Sequence, residues 1–258
     1  MIRARVRQLA VCYWLQFRIL AVSPFEGILN LIFPLMFATS ALLVYRLSGD
    51  PDALLYAGLG AAAMGIWTAM MVPAGSLLNR ERWQGTLELV VASPTPFSLV
   101  ILPITFAMAT VGLYSVVATL LWDWLVFGIE LTIHSPVFFV VSILASAVSI
   151  ALIGFLLAVT VVRYRTAWAL GAALEYPGWL LCGFVVPAEL LPEFLRPISW
   201  LLAPTWAVRA MRIAADGGAP WAELGICAAL GVGYAVLGIF LGARLIDSAR
   251  LHATLALT

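Results

Sequence analysis

Two groups of ionisable residues stand where an otherwise apolar chain has little reason to keep them: Glu81, Arg82 and Glu88 within ERWQGTLELVVASP (81–94), and Glu175 within WALGAALEYPGWLL. The other reactive side chains are sparse, and their spacing excludes most chemistry. His134 and His252 lie too far apart for a helical metal pair, and Cys12, Cys182 and Cys227 form no C-x-x-C, so three free thiols and no metal are expected. H-E-x-x-H and G-x-S-x-G are absent, which argues against an enzyme. All 14 Lys+Arg positions are arginine. A P-loop needs the lysine of G-x-x-x-x-G-K-[ST] to reach nucleotide phosphates. Any P-loop ATPase that powers this chain is therefore a second polypeptide.

The elements that must position these charges are membrane helices. The chain of 258 residues is 64% hydrophobic and 10% charged, against about half and a quarter in soluble domains. A soluble protein could not cover its surface with so few polar groups; lipid can. The expected fold class is an all-α polytopic membrane protein, a single domain over 1–258. Stretches of ~20 apolar residues mark six spans, approximately Ile28–Tyr45, Ala53–Leu78, Ser98–Trp122, Pro136–Val162, Ala167–Val186 and Trp221–Ala243. Ten of the arginines fall on one side of these spans if both termini are cytoplasmic, which is the side that collects positive charge. Most acids, Asp123 among them, sort to the outer side. Trp122, Trp124, Trp200, Trp206 and Trp221 fall near the outer boundary, while Trp67 and Trp179 lie deeper and should pack between helices. The net charge of +1 suggests no nucleic-acid partner.

Before the first span, Ile2, Val6, Leu9, Tyr13, Phe17 and Leu20 recur at steps of three and four, with Arg3, Arg7 and Arg18 off that face. Residues 1–20 therefore read as an amphipathic helix in the interface. After the fifth span, PAELLPEFLRPISWLLAPTWAVRAMR (187–212) is cut by Pro192, Pro197 and Pro204, and Arg209 follows Arg196 too soon for another crossing. Short re-entrant helices in the outer leaflet are expected there. Asn30 and Pro34 in the first span, and Thr105 and Thr110 in the third, are polar or kinking positions of the kind that join helices. The small-residue runs GLGAAAMG (58–65) and GICAALGVG (225–233) permit close helix packing.

The charged break has its own local physics. Gly85 permits a bend, Thr86 can cap a short helix with Glu88 in its first turn, and Pro94 stops it. A stiff knob of about two turns is expected within a cytoplasmic loop over 79–97. Glu175 sits mid-span, where an ionisable group marks a functional site by default. A hydrogen bond to Tyr176 or to a neighbouring hydroxyl would equally satisfy it. Pro177 and Gly178 suggest a kink beside it.

Glu81-Arg82-x-x-Gly85-Thr86-Leu87-Glu88-Leu89, followed by Ser93-Pro94, resembles the cytoplasmic loop of the type-2 ATP-binding-cassette (ABC) exporter permeases. Gly183–Pro187, Leu191–Leu195, Pro204-Thr205 and Ala207-x-Arg209 resemble that family's outer segment. The resemblance implies that Glu81, Arg82, Gly85, Thr86, Leu87 and Glu88 form a coupling helix docking on an ATPase. It implies that Pro187, Pro192, Pro204 and Arg209 belong to outer re-entrant helices. It further implies two P-loop ATPase subunits that bind ATP and Mg, with no cofactor in this chain, and a second copy or related permease completing the pathway. Glu175, Asn30 and Tyr176 are the candidate pathway residues. The implied function is export of a drug-like amphiphile or lipid across the inner (plasma) membrane, with polysaccharide or lipid-linked glycan export as the alternative. An ion-driven secondary transporter is the rival outside the family; it should show inverted repeats, and none is evident.

Overall fold

The computed structural model describes residues 2–22, 24–46, 51–83, 96–129, 133–161 and 168–251. Among these, every regular element is helical. In chain order they are α1 (Ile2–Val22), α2 (Pro24–Arg46), α3 (Pro51–Trp83), α4 (Ser98–Phe127), α5 (Pro136–Val161), α6 (Trp168–Ala173), α7 (Glu175–Leu181), a 3-10 turn (Ala188–Leu190), α8 (Arg196–Leu201), α9 (Ala203–Ala215) and α10 (Trp221–Leu251). Among the described residues, four helices are long and apolar enough to cross a membrane: those over Ala53–Leu77, Ser98–Phe127, Pro136–Thr160 and Trp221–Leu245. Ile32–Arg46 of α2 forms a shorter apolar helix.

Helix α3 is the axis of the bundle. Its apolar window is 82% buried, whereas that of α10 is 17% buried, so α10 lies at the periphery. The reason is the run GLGAAAMG: Ala61, Ala62, Ala63 and Met64 are all buried, and a Cβ on Gly65 would collide with Ser115 Oγ of α4. Small residues bring α2, α4 and α5 against one central helix. The similar run at 225–233 does not act this way, since a Cβ at Gly225 or Gly233 would meet nothing within 4 Å.

Helix α1 packs along α4. Leu20 joins the main core, and Tyr13 Oη donates to Thr110 Oγ1 at 2.9 Å. Val6, expected on the same face, is exposed. A second apolar strip, Val11, Trp14, Leu15 and Ile19, faces away from the bundle. Thr105 and Thr110 bond back to Leu102 O and Phe106 O, so both serve the helix rather than a channel.

Three expected boundaries are corrected. The fifth stretch is not one helix: α6 ends at Ala173, α7 ends at Leu181, and turns and bends follow to Val186. Pro177 explains the first break, because it has no N–H to donate to the carbonyl of Ala173 and its ring crowds that carbonyl. Gly183, with φ +72, turns the chain at the second. Secondly, α3 runs to Trp83, into the segment read as loop from residue 79; Arg and Glu are good helix formers, and the first breaker is Gly85. Thirdly, α10 continues to Leu251 rather than ending near Ala243, with Arg244 stacked over Phe240 at 4.9 Å.

Candidate functional site

The C-terminal end of α3 carries the start of the charged motif. Glu81 and Arg82 occupy its last turn. Gly85, Thr86, Leu87 and Glu88 lie outside the described residues, as do the side chains of Glu81, Arg82 and Asn30.

Glu175 opens α7, directly after the break made by Pro177. It is half-buried, and the Thr68 hydroxyl of α3 approaches its carboxyl without completing a hydrogen bond. Tyr176 does not hold it: that ring is largely exposed and meets Trp179 edge-on at 4.9 Å. Around this point the expected packing of the deep tryptophans is found. Trp179 is buried against Phe37 of α2 at 4.4 Å, and Trp67 lies edge-on to Phe184 at 6.0 Å. The indole N–H groups of Trp67 and Trp179 and the Thr68 hydroxyl are buried with no partner among the described residues. The place where α3 meets α7 thus offers two donors, a hydroxyl and a carboxyl beside aromatic surface.

The outer segment presents a harder problem, because a non-helical backbone in an apolar setting needs external donors. Three successive carbonyls are satisfied in turn. Arg212 Nη1 of α9 donates to Gly183 O at 2.8 Å, as does Tyr56 Oη at 3.2 Å. Arg212 Nη2 donates to Phe184 O at 3.2 Å, and Tyr45 Oη to Val185 O at 2.6 Å. The Arg212 guanidinium also lies 3.3 Å from the centroid of the Tyr56 ring, a cation–π contact. Burial lowers the Arg212 guanidinium to about 10, so it keeps its charge at neutral pH. The backbone approaches so closely that a Cβ on Gly60 would stand 1.8 Å from Phe184 O.

Pro187, Pro192, Pro204 and Arg209 lie on or between the short elements beside this latch. Pro187 precedes the 3-10 turn, Leu195 N–H bonds to Pro192 O, and Pro204 is buried in the first turn of α9, where a missing N–H does no harm. Thr205 Oγ1 donates to Ser199 O, and Tyr234 of α10 ties α8 to α9 through Leu201 O and Ala203 N. Arg209 pairs with Glu189 at 3.2 Å and approaches Glu223 at 4.0 Å.

Sequence reasoning missed Tyr45, Tyr56 and Arg212, whose only signal was their place beside outer loops. It counted Asp123 among the outer acids and did not foresee that the side chain is fully buried within α4. A Cβ on Gly58 of α3 would stand 2.7 Å from its Oδ2, and neither oxygen has a partner among the described residues.

No curated protein matches the chain. A family model, that of the ABC-2 type transporter, matches residues 7–215, from α1 to the end of α9. That match spans most of the chain, and it includes both the motif that begins at the C-terminal end of α3 and the latch around Arg212: the chain belongs to the ABC-2 type transporter family, as a membrane subunit of an ABC transporter.

Proposed function

We propose that this chain is the permease of an exporter for a drug-like amphiphile or lipid, worked by two separate P-loop ATPase subunits that bind ATP and Mg. It pairs with a second copy or a related permease in the inner (plasma) membrane, crosses six times and keeps both termini cytoplasmic. Glu81, Arg82, Gly85, Thr86, Leu87 and Glu88 receive the ATPase movement. Glu175, Tyr176 and Asn30 face the cargo pathway, where the aromatic surface and unpartnered donors between α3 and α7 suit an amphiphile with oxygen acceptors.

One observation carries this reading. Helix α3 is continuous over 33 residues, about 50 Å at 1.5 Å per residue, well beyond the ~30 Å hydrocarbon layer. A push on its inner end therefore moves Tyr56 and Gly60, the residues that hold the outer segment, as one body. The test is transport by the chain reconstituted with its ATPase subunits in proteoliposomes. Glu81→Ala, Gly85→Pro and Glu88→Ala are expected to insert and assemble normally yet transport poorly. Full transport by all three, or proton-driven transport by the lone chain, would remove the reading.

A further inference from the structure

Beside the latch lies a cavity of about 170 Å³ lined by Tyr56, Glu189, Trp200, Trp206, Arg209 and Arg212, among others. Its two arginines are met unequally. Arg209 is met by Glu189 at 3.2 Å and by Glu223 at 4.0 Å. Arg212 stacks on Tyr56 and hydrogen-bonds to backbone carbonyls alone, and its buried Nε–H has no partner among the described residues. A guanidinium with a spare donor and no carboxylate of its own suits an anion with several oxygens.

The surroundings identify which anion. Leu190, Ile198, Trp200 and Leu201, on the short elements that wall the cavity, and Phe194 in the turn between them are all exposed large apolar side chains. Such a surface belongs against lipid, and indoles favour the headgroup layer. The phosphodiester is the anion that layer supplies. We propose that this cavity binds the phosphate of a phospholipid headgroup, with Arg212 and Arg209 as donors, the apolar residues beside the acyl chains, and Glu189 as an internal competitor for Arg209. This site is separate from the cargo pathway and holds whatever the cargo is.

The test is native mass spectrometry of the purified full chain in detergent, titrated with dioctanoyl-phosphatidylglycerol. Dioctanoylglycerol, which lacks the phosphate, and sodium phosphate serve as competitors. The wild-type chain is expected to retain one phospholipid that neither competitor displaces at equal concentration. Arg212→Gln and Arg209→Gln should each weaken retention about tenfold, as the loss of a charge-assisted bond implies. Glu189→Gln, which frees Arg209, should strengthen it several-fold. Arg209 and Glu189 are exposed, so these two variants decide the matter even if Arg212→Gln fails to fold. Unchanged retention in both would overturn the proposal. Displacement by equimolar sodium phosphate would overturn the lipid assignment in favour of free phosphate, and displacement by dioctanoylglycerol would overturn the role of the phosphate.

Discussion

At Gly60 one hydrogen atom decides whether the outer segment can close on α3. An added methyl would stand 1.8 Å from Phe184 O, which is backbone and cannot swing aside. Gly60→Ala should therefore cost about 2 kcal/mol, in the range of core overpacking. Gly225→Ala is the matched control, since nothing lies within 4 Å of its Cβ; helix propensity predicts a gain of up to ~1 kcal/mol there. Thermal unfolding in detergent should lower the midpoint for the first and hold or raise it for the second. Equal midpoints would show that the close approach is not rigid. Glu175 poses a different question, because its carboxyl sits at the opening of α7 beside Thr68 rather than in a completed hydrogen bond. If its charge serves the pathway, Glu175→Gln should lower transport severalfold while leaving the unfolding midpoint unchanged. Full transport by that variant would leave Glu175 a packing residue.

At the scale of elements, much of the chain was legible because membrane helices are written in local runs. The apolar stretches predicted α2, α3, α4, α5 and α10 to within a few residues at most ends, and three-four periodicity predicted α1. Prolines at 187, 192 and 204 announced short pieces. What could not be read was how the bends between α7 and the 3-10 turn are satisfied. Their donors Tyr45 and Tyr56 lie 140 and 127 positions from the carbonyls they reach, and no local pattern encodes such a pairing. The division of the fifth stretch was half legible: Pro177 was visible, but only the fold shows that α6 and α7 separate at Leu174 and that Gly183 ends the run. Pro177→Ala should restore the missing donor and fuse the two helices. An interior proline costs a helix ~3 kcal/mol, so the unfolding midpoint should rise. If the break serves as a hinge, the transport rate should fall in the same variant. A rise in both would mean the break is only a defect.

For the whole molecule, the proposed function turns on whether force can travel from the motif at the C-terminal end of α3 to the latch around Arg212. The path is short in structural terms. Helix α3 ends at Glu81, Arg82 and Trp83 on one side, and on the other it offers Tyr56 and Gly60 to the Gly183–Val185 backbone. Between them α3 is one helix, largely buried along its apolar window and running across Pro73. A lever fails if it is made to bend, even with both ends intact. Replacing exposed Ser76, near the C-terminal end of α3, by glycine would cost the helix up to ~1 kcal/mol and would leave the motif and the latch unchanged in sequence. Reconstituted with the ATPase subunits of the proposed function, such a chain should still support ATP turnover, because the proposed docking motif is unchanged. Its transport per ATP should fall, because the movement is absorbed within α3. Arg212→Met, which unfastens the opposite end, should give the same uncoupled pattern. Transport that stays proportional to ATP turnover in both variants would mean that the motion reaches the outer segment by another route.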